Sequence, residues 1–273
     1  MELKLKSVSD TSLFIDWLKK FNKMTNSILL EIDPNSKCFI SKTFTPDKAC
    51  IRYSKISFED CGLEIESYND KVSNDKRIML GILLVLPKFI KIIESYSNEN
   101  FYIIIEYDNV KNLENYDVVA TSISFKSDHL KMKIDGFKIS EFKYLDDNIF
   151  FNKIHVANNP IKVLLSDEVI KNIIKFSGVN ATDDRSDQLV FFNQVEDGKS
   201  YLSVRDESKS FEYKLNEIDS KYDFSMPIFR SKFLLVMKDM SEPFVLTIGD
   251  SKDRILLDSE VSDTKMIISI INI

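Results

Sequence analysis

Glycine is scarce in this chain, with six residues in 273, at positions 62, 81, 136, 178, 198 and 249. No two lie close enough to build a loop whose backbone N–H groups cradle a phosphate, which excludes the nucleotide-binding fingerprints. Histidine is scarcer still. His129 and His155 are the only two, and no Ser/His/Asp or Cys/His constellation assembles around either. The three cysteines, Cys38, Cys50 and Cys61, are odd in number and lack C-x-x-C spacing, so they read as buried, reduced thiols rather than a disulfide framework or metal hook. The acidic pairs Glu59-Asp60, Asp146-Asp147 and Asp183-Asp184 lack the partner spacing of a calcium or magnesium site. No apolar run approaches the ~20 residues of a membrane span, and Glu2, Lys4, Lys6 and Asp10 stand where a signal peptide would need an apolar core. The expectation is a soluble, cytoplasmic non-enzyme with no catalytic residue, no metal and no cofactor.

What the chain does have is repetition. A short strand, Leu3 to Lys6, leads into Ser9-Asp10 and an amphipathic helix ending at Lys20-Phe21. Far downstream, Ile161 to Leu165 leads into Ser166-Asp167 and a helix ending at Lys175-Phe176. Three strand-like runs are expected after each, then a second helix, Pro87 to Ile93 in one half and Arg230 to Met237 in the other, then more strands. Two halves of one plan, each with two helices and eight or nine strands, follow from this echo.

The charges are distributed unevenly. The first helix sets Phe14, Trp17, Leu18 and Phe21 on one stripe and Asp16, Lys19, Lys20 and Lys23 on the other. Its counterpart turns Val169, Ile170, Ile173 and Ile174 inward and Lys171, Asn172 and Lys175 outward. Lys88 and Lys91 face out after Pro87, and the fourth helix carries Arg230, Lys232 and Lys238, with Leu235 interrupting its polar face. Across 12–23, 86–95, 167–176 and 230–238, basic residues outnumber acidic ones ten to four, a balance of +6. The formal charge of the whole chain is -6, so everything outside these helices holds -12. Lysine is a good helix former, and a solvated face accounts for any one of these helices. Four biased alike in an acidic protein suit a molecule that accepts a polyanion at one surface and repels it elsewhere.

The remaining segments are rich in β-branched and aromatic residues: Ser27 to Ile32, Cys38 to Phe44, Ala49 to Ile56, Ile78 to Leu84, Phe101 to Tyr107, Val118 to Phe125 and Leu130 to Ile134, with a matching series from Leu189 to Ile271. Strands are many, helices few, and βαβ alternation is missing. The expected fold class is α+β, with antiparallel sheets carrying two helices in each half.

This pattern, strand, Ser-Asp, helix with outward lysines, strands, second helix, strands, run twice, resembles the DNA polymerase sliding clamps, most of all the two-domain clamps of T-even-type phages, archaea and eukaryotes. The stretches Leu83 to Tyr107 and Asp223 to Ile273 carry the likeness most clearly. The resemblance implies a duplicated DNA-clamp fold with an N-terminal domain at 1–138, a connector at 139–160 and a C-terminal domain at 161–273. It also implies a phage-type homotrimeric ring that encircles double-stranded DNA without reading sequence and tethers a DNA polymerase for processive synthesis, after a clamp loader has placed it. The DNA-facing residues would be Lys19, Lys20, Lys23, Lys88, Lys91, Lys171, Lys175, Arg230, Lys232 and Lys238. A partner-peptide pocket would gather Phe142, Tyr144, Leu145, Ile149, Phe150 and Phe151 with Ile270, Ile271 and Ile273. A monomeric processivity factor, or a non-enzymatic adaptor reusing the fold, is the competing reading.

Overall fold

The computed structural model describes residues 1–68, 77–96, 99–109, 118–136, 150, 160–177, 187–219, 223–238, 240, 242–249 and 253–270. The chain divides into two units, one made of Met1–Thr43 and Tyr53–Asp146, the other of Phe44–Arg52 and Asp147–Ile273. Both run through the same plan. The first half is β1 (Glu2–Ser7), α1 (Ser12–Asn22), β2 (Ile28–Asp33), β3 (Cys38–Phe44), β4 (Cys50–Ser57), β5 (Leu63–Tyr68), β6 (Ile78–Ile82), α2 (Leu86–Ser95), β7 (Tyr102–Asn109), β8 (Val118–Lys126) and β9 (Lys131–Asp135). The second half is β10 (Ile161–Leu165), α3 (Asp167–Phe176), β11 (Gln188–Glu196), β12 (Lys199–Asp206), β13 (Glu212–Ile218), β14 (Ser225–Phe229), α4 (Arg230–Met237), β15 (Phe244–Ile248), β16 (Arg254–Ser259) and β17 (Thr264–Ser269). In both halves the described elements have one strand before the first helix and three after the second. The architecture is thus mixed α+β, with two helices and mainly antiparallel sheet in each unit.

In unit one, β2 pairs with β3 and β6, and β1 bridges β5 and β7. The pairings of β1 with β5 and β7, β2 with β3 and β6, and β8 with β7 and β9 are antiparallel, while β6 and β8 run parallel with Met79 opposite Val119. The core forms where α1 and α2 lay their apolar stripes on this sheet. Phe14, Leu18 and Phe21 are buried at helical spacing, with the Phe14 ring stacked on Phe39 at 4.8 Å and Phe89 of α2 edge-on to Phe125 at 5.6 Å. Buried Trp17 keeps its one polar atom satisfied by donating from Nε1 to Ser54 Oγ at 2.9 Å. The start of α1 is fixed by a close approach at Gly62. Its φ is +68°, and a Cβ there would fall 2.5 Å from the Asp10 carbonyl oxygen, so only glycine fits beside the chain entering the helix.

In unit two, β10, β15, β16 and β17 form one antiparallel run and β13, β12, β11 and β14 another. Ile170 and Ile173 of α3 and Phe233, Val236 and Met237 of α4 are buried, with Phe233 against Phe191 at 6.2 Å between ring centres. Val169 and Ile174, expected inside, are only half-buried.

Three sequence expectations need correction. The two Ser-Asp pairs are not equivalent: Ser166 caps α3 by accepting from the Val169 N–H at 3.3 Å, whereas Ser9-Asp10 precedes Thr11, the residue at the cap position of α1. Asp10 instead accepts from the Ser12 N–H at 2.9 Å. Five described strands, not three, separate α1 from α2, and four separate α3 from α4. The strand that the sequence reading missed, β5, is an edge strand pairing only with β1 in the sheet path; Glu64 and Glu66 are the polar half of its short alternation, and Glu66 is ion-paired with Lys4 at 2.5 Å. Cys38, Cys50 and Cys61 are all buried thiols, in line with the burial preference of cysteine.

A charged pair is sealed within the strands of unit one. Lys42 Nζ lies 2.6 Å from Glu31 Oε1, with the two side chains 1% and 2% exposed, and Arg77 engages the other Glu31 oxygen. Removing one member of a buried pair strands the other charge and costs about 3–5 kcal/mol. Glu31→Gln removes the acceptor that Lys42 and Arg77 share, whereas Lys42→Met leaves Glu31 with Arg77, so Glu31→Gln should lower the denaturant midpoint more. Equal losses in chemical unfolding would show that the pair does not act in this asymmetric way.

Candidate nucleic-acid interface

In unit one, burial of one face of each helix leaves the other to lysine. Lys19, Lys23, Lys88 and Lys91 are exposed and Lys20 is half-buried, and α1 packs beside α2. Lys19 Nζ donates to Glu94 Oε1 across the two helices at 2.9 Å, with the side chains 48% and 42% exposed; the hydrogen bond to this carboxylate raises the Lys19 pKa. These two helices bring together five lysines against two carboxylates, Asp16 and Glu94. Helix physics explains only some of them. Lys19 and Lys20 sit in the last turn of α1, where a cation complements the helix dipole. Lys88 sits in the first turn of α2, directly after Pro87 and with no acidic residue beside it, where the dipole favours anions. That helix gains nothing from Lys88, whereas an approaching phosphate meets both the lysine and the positive helix end.

Unit two ties several of its basic side chains to its own groups. Lys171 pairs with Asp167 one turn earlier at 2.5 Å, and Lys175 lies 5.1 Å from the centre of the Phe176 ring. Arg230 Nε donates to Ser177 Oγ at 3.2 Å, tying the start of α4 to the end of α3. The Asp187 carboxylate accepts from the Ser231 N–H at 3.1 Å. Lys238 is exposed. Lys232 differs from the sequence reading most: its side chain is 23% exposed and ion-paired with Asp47, so it clamps the segment 44–52 to α4 instead of facing outward. Asp47 also accepts from Thr45 Oγ1 at 2.6 Å and from the Ala49 N–H at 3.1 Å.

Of the pocket residues, Phe142, Tyr144, Leu145, Ile149, Phe151, Ile271 and Ile273 lie outside the described residues, as does His155. Phe150 is fully buried and presents no surface to a partner. Ile270 is half-buried and its N–H donates to the Asp253 carbonyl at 3.1 Å. Among the described residues no group of three or more His, Cys, Asp or Glu could hold a metal, and no helix is long and apolar enough to cross a membrane. Asp47 and Glu94 are the carboxylates beside these lysines that sequence reasoning missed, because each meets its lysine only through the fold.

Partial desolvation pushes the Asp47 carboxyl up, but the bonds from Lys232, Thr45 and Ala49 outweigh it and hold the group down at about 2. A depressed carboxylate contributes stability above its unfolded value of about 4 and loses it as the pH falls through its folded value. Asp47→Asn should therefore melt below the parent protein at neutral pH, with the gap closing between about pH 4 and pH 2. Thermal melts across that range check this, and a gap that persists in acid would contradict it.

No protein-family model matches the sequence, and no curated protein matches it. Solved structures do. The DNA polymerase III beta chain of Streptococcus pneumoniae aligns with a TM-score of 0.63 at 13% identity, covering 100% of this chain and 65% of that one. A. fulgidus PCNA, with the C-terminal region of FEN-1 bound, aligns with a TM-score of 0.62 at 13% identity over 99% of both chains. The Helicobacter pylori beta clamp bound to a DNA ligase peptide aligns at 0.62 and 15% identity, over 100% of this chain and 67% of that one. The chain spans about two-thirds of the bacterial beta clamps and essentially the full length of PCNA. At these identities the likeness concerns architecture, and it establishes that this chain has the sliding-clamp fold.

Proposed function

We propose that this chain is a sliding clamp: a non-enzymatic ring of three copies that encircles double-stranded DNA and holds a DNA polymerase to it. The observation that carries the reading is the basic outer face of α1 and α2 on a fold that matches clamps over the whole chain. Lys19, Lys20, Lys23, Lys88 and Lys91 form its strongest part. Lys171, Lys175, Arg230 and Lys238 extend the same role to unit two, while Lys232 serves chiefly to hold 44–52 in place. Lysine suits the task because a mobile point charge meets any phosphate in turn, without the fixed bidentate geometry of arginine. A polymerase and a clamp loader would dock by short apolar peptides near the connector at 139–160 and the C-terminal strand, where a few buried anchors dominate binding. The acidic remainder of the chain keeps DNA off its other surfaces.

Counterion release gives this reading a quantitative test. Each phosphate contact contributes about 0.9 to the slope of log affinity against log salt. Replacing Lys19, Lys20 and Lys23 together by alanine should weaken duplex binding and reduce that slope by about 2 to 3. The fold should survive, since Lys19 and Lys23 are exposed and Lys20 only half-buried, outside the apolar core. An unchanged slope in a folded variant would remove α1 from the DNA contact.

A further inference from the structure

The Lys19–Glu94 pair has no evident structural duty. The two helices it bridges are already held by buried Phe14, Leu18, Phe21, Phe89, Ile90 and Ile93, and an exposed ion pair adds little to packing of that kind. Its position is more telling. Glu94 is exposed, lies among the lysines of α1 and α2, and holds Lys19 at 2.9 Å. A carboxylate oxygen on an ammonium occupies the site a phosphate oxygen would take, through the same charge-assisted hydrogen bond. Unit two repeats the chemistry, with Asp167 on the exposed Lys171 at 2.5 Å.

We propose that Glu94 is a resident competitor for DNA phosphate, which Lys19 must release to touch the duplex and to which it returns between phosphates. This rests on the reading of the basic helices as a DNA contact and assigns its regulation. The competition keeps affinity low, and the lysine always has a nearby alternative partner, so moving from one phosphate to the next leaves no bare charge. Asp167 acts in the same way on Lys171.

The test is duplex binding by the full chain, using a fluorescent blunt-ended duplex over a salt series, with the parent protein, Glu94→Gln, Lys19→Ala and the double variant. Glu94→Gln should bind about two- to fivefold more tightly at low salt, the scale set by an exposed pair, and its salt slope should steepen by about one. In the Lys19→Ala background the same change should produce no gain. A gain that persists without Lys19 would show Glu94 acting as a general negative charge and would overturn the proposal. No gain in Glu94→Gln, with Lys19→Ala weakened, would also overturn it while leaving the DNA reading intact. Absence of duplex binding by every folded form, parent included, would overturn the DNA reading itself. Matching thermal melts establish that the variants are folded.

Discussion

The structure depends on the burial of one apolar stripe per helix against sheet. That constraint commits the opposite face of each helix to solvent, and the sequence fills those faces with cations. Phe14, Leu18 and Phe21 point inward and thereby turn Lys19 and Lys23 outward; Phe89, Ile90 and Ile93 do the same for Lys88 and Lys91. Burial of large apolar side chains is worth roughly 1.5–3 kcal/mol each, far more than any exposed charge contributes. Packing therefore fixes where the lysines go, and their interactions with one another adjust only how available they are.

The basic side chains of both units meet carboxylates of their own unit. On α1 and α2, Glu94 reaches across to Lys19. In unit two, Asp167 and Asp47 each hold a basic side chain, and Asp187 sits at the start of α4. Lys88 opposes its own helix dipole, whereas Lys19 and Lys20 comply with theirs. A uniform charge count across the four helices conceals these pairings, which arise from what the fold brings beside each helix.

Periodicity made the helices legible. The limits of α2 and α3 follow directly from the spacing of Phe89, Ile90 and Ile93 and of Ile170 and Ile173, and the repeated order of elements pointed to a duplicated fold. Strand β5 was legible in principle, since Leu63-Glu64-Ile65-Glu66 alternates with the period of a strand, but the run is short and only Leu63 of its residues is buried. The Ser-Asp echo was partly misleading, since the same dipeptide caps one helix and merely precedes the other. Ion pairs such as Lys232 with Asp47 and Lys42 with Glu31 were invisible for a simpler reason. They join residues far apart in the chain or on neighbouring strands whose register is set by tertiary structure, and no local pattern encodes them.

On the proposed reading DNA is retained by closure more than by affinity, and weak, self-competed lysine contacts would suffice only in a ring. Mass in solution addresses that directly. Analytical ultracentrifugation of the full chain at physiological salt should give a species at three times the 31.7 kDa of one chain, persisting on dilution to the concentrations used for DNA binding. A strict monomer across that range would contradict the ring and leave a monomeric processivity factor or adaptor as the better account.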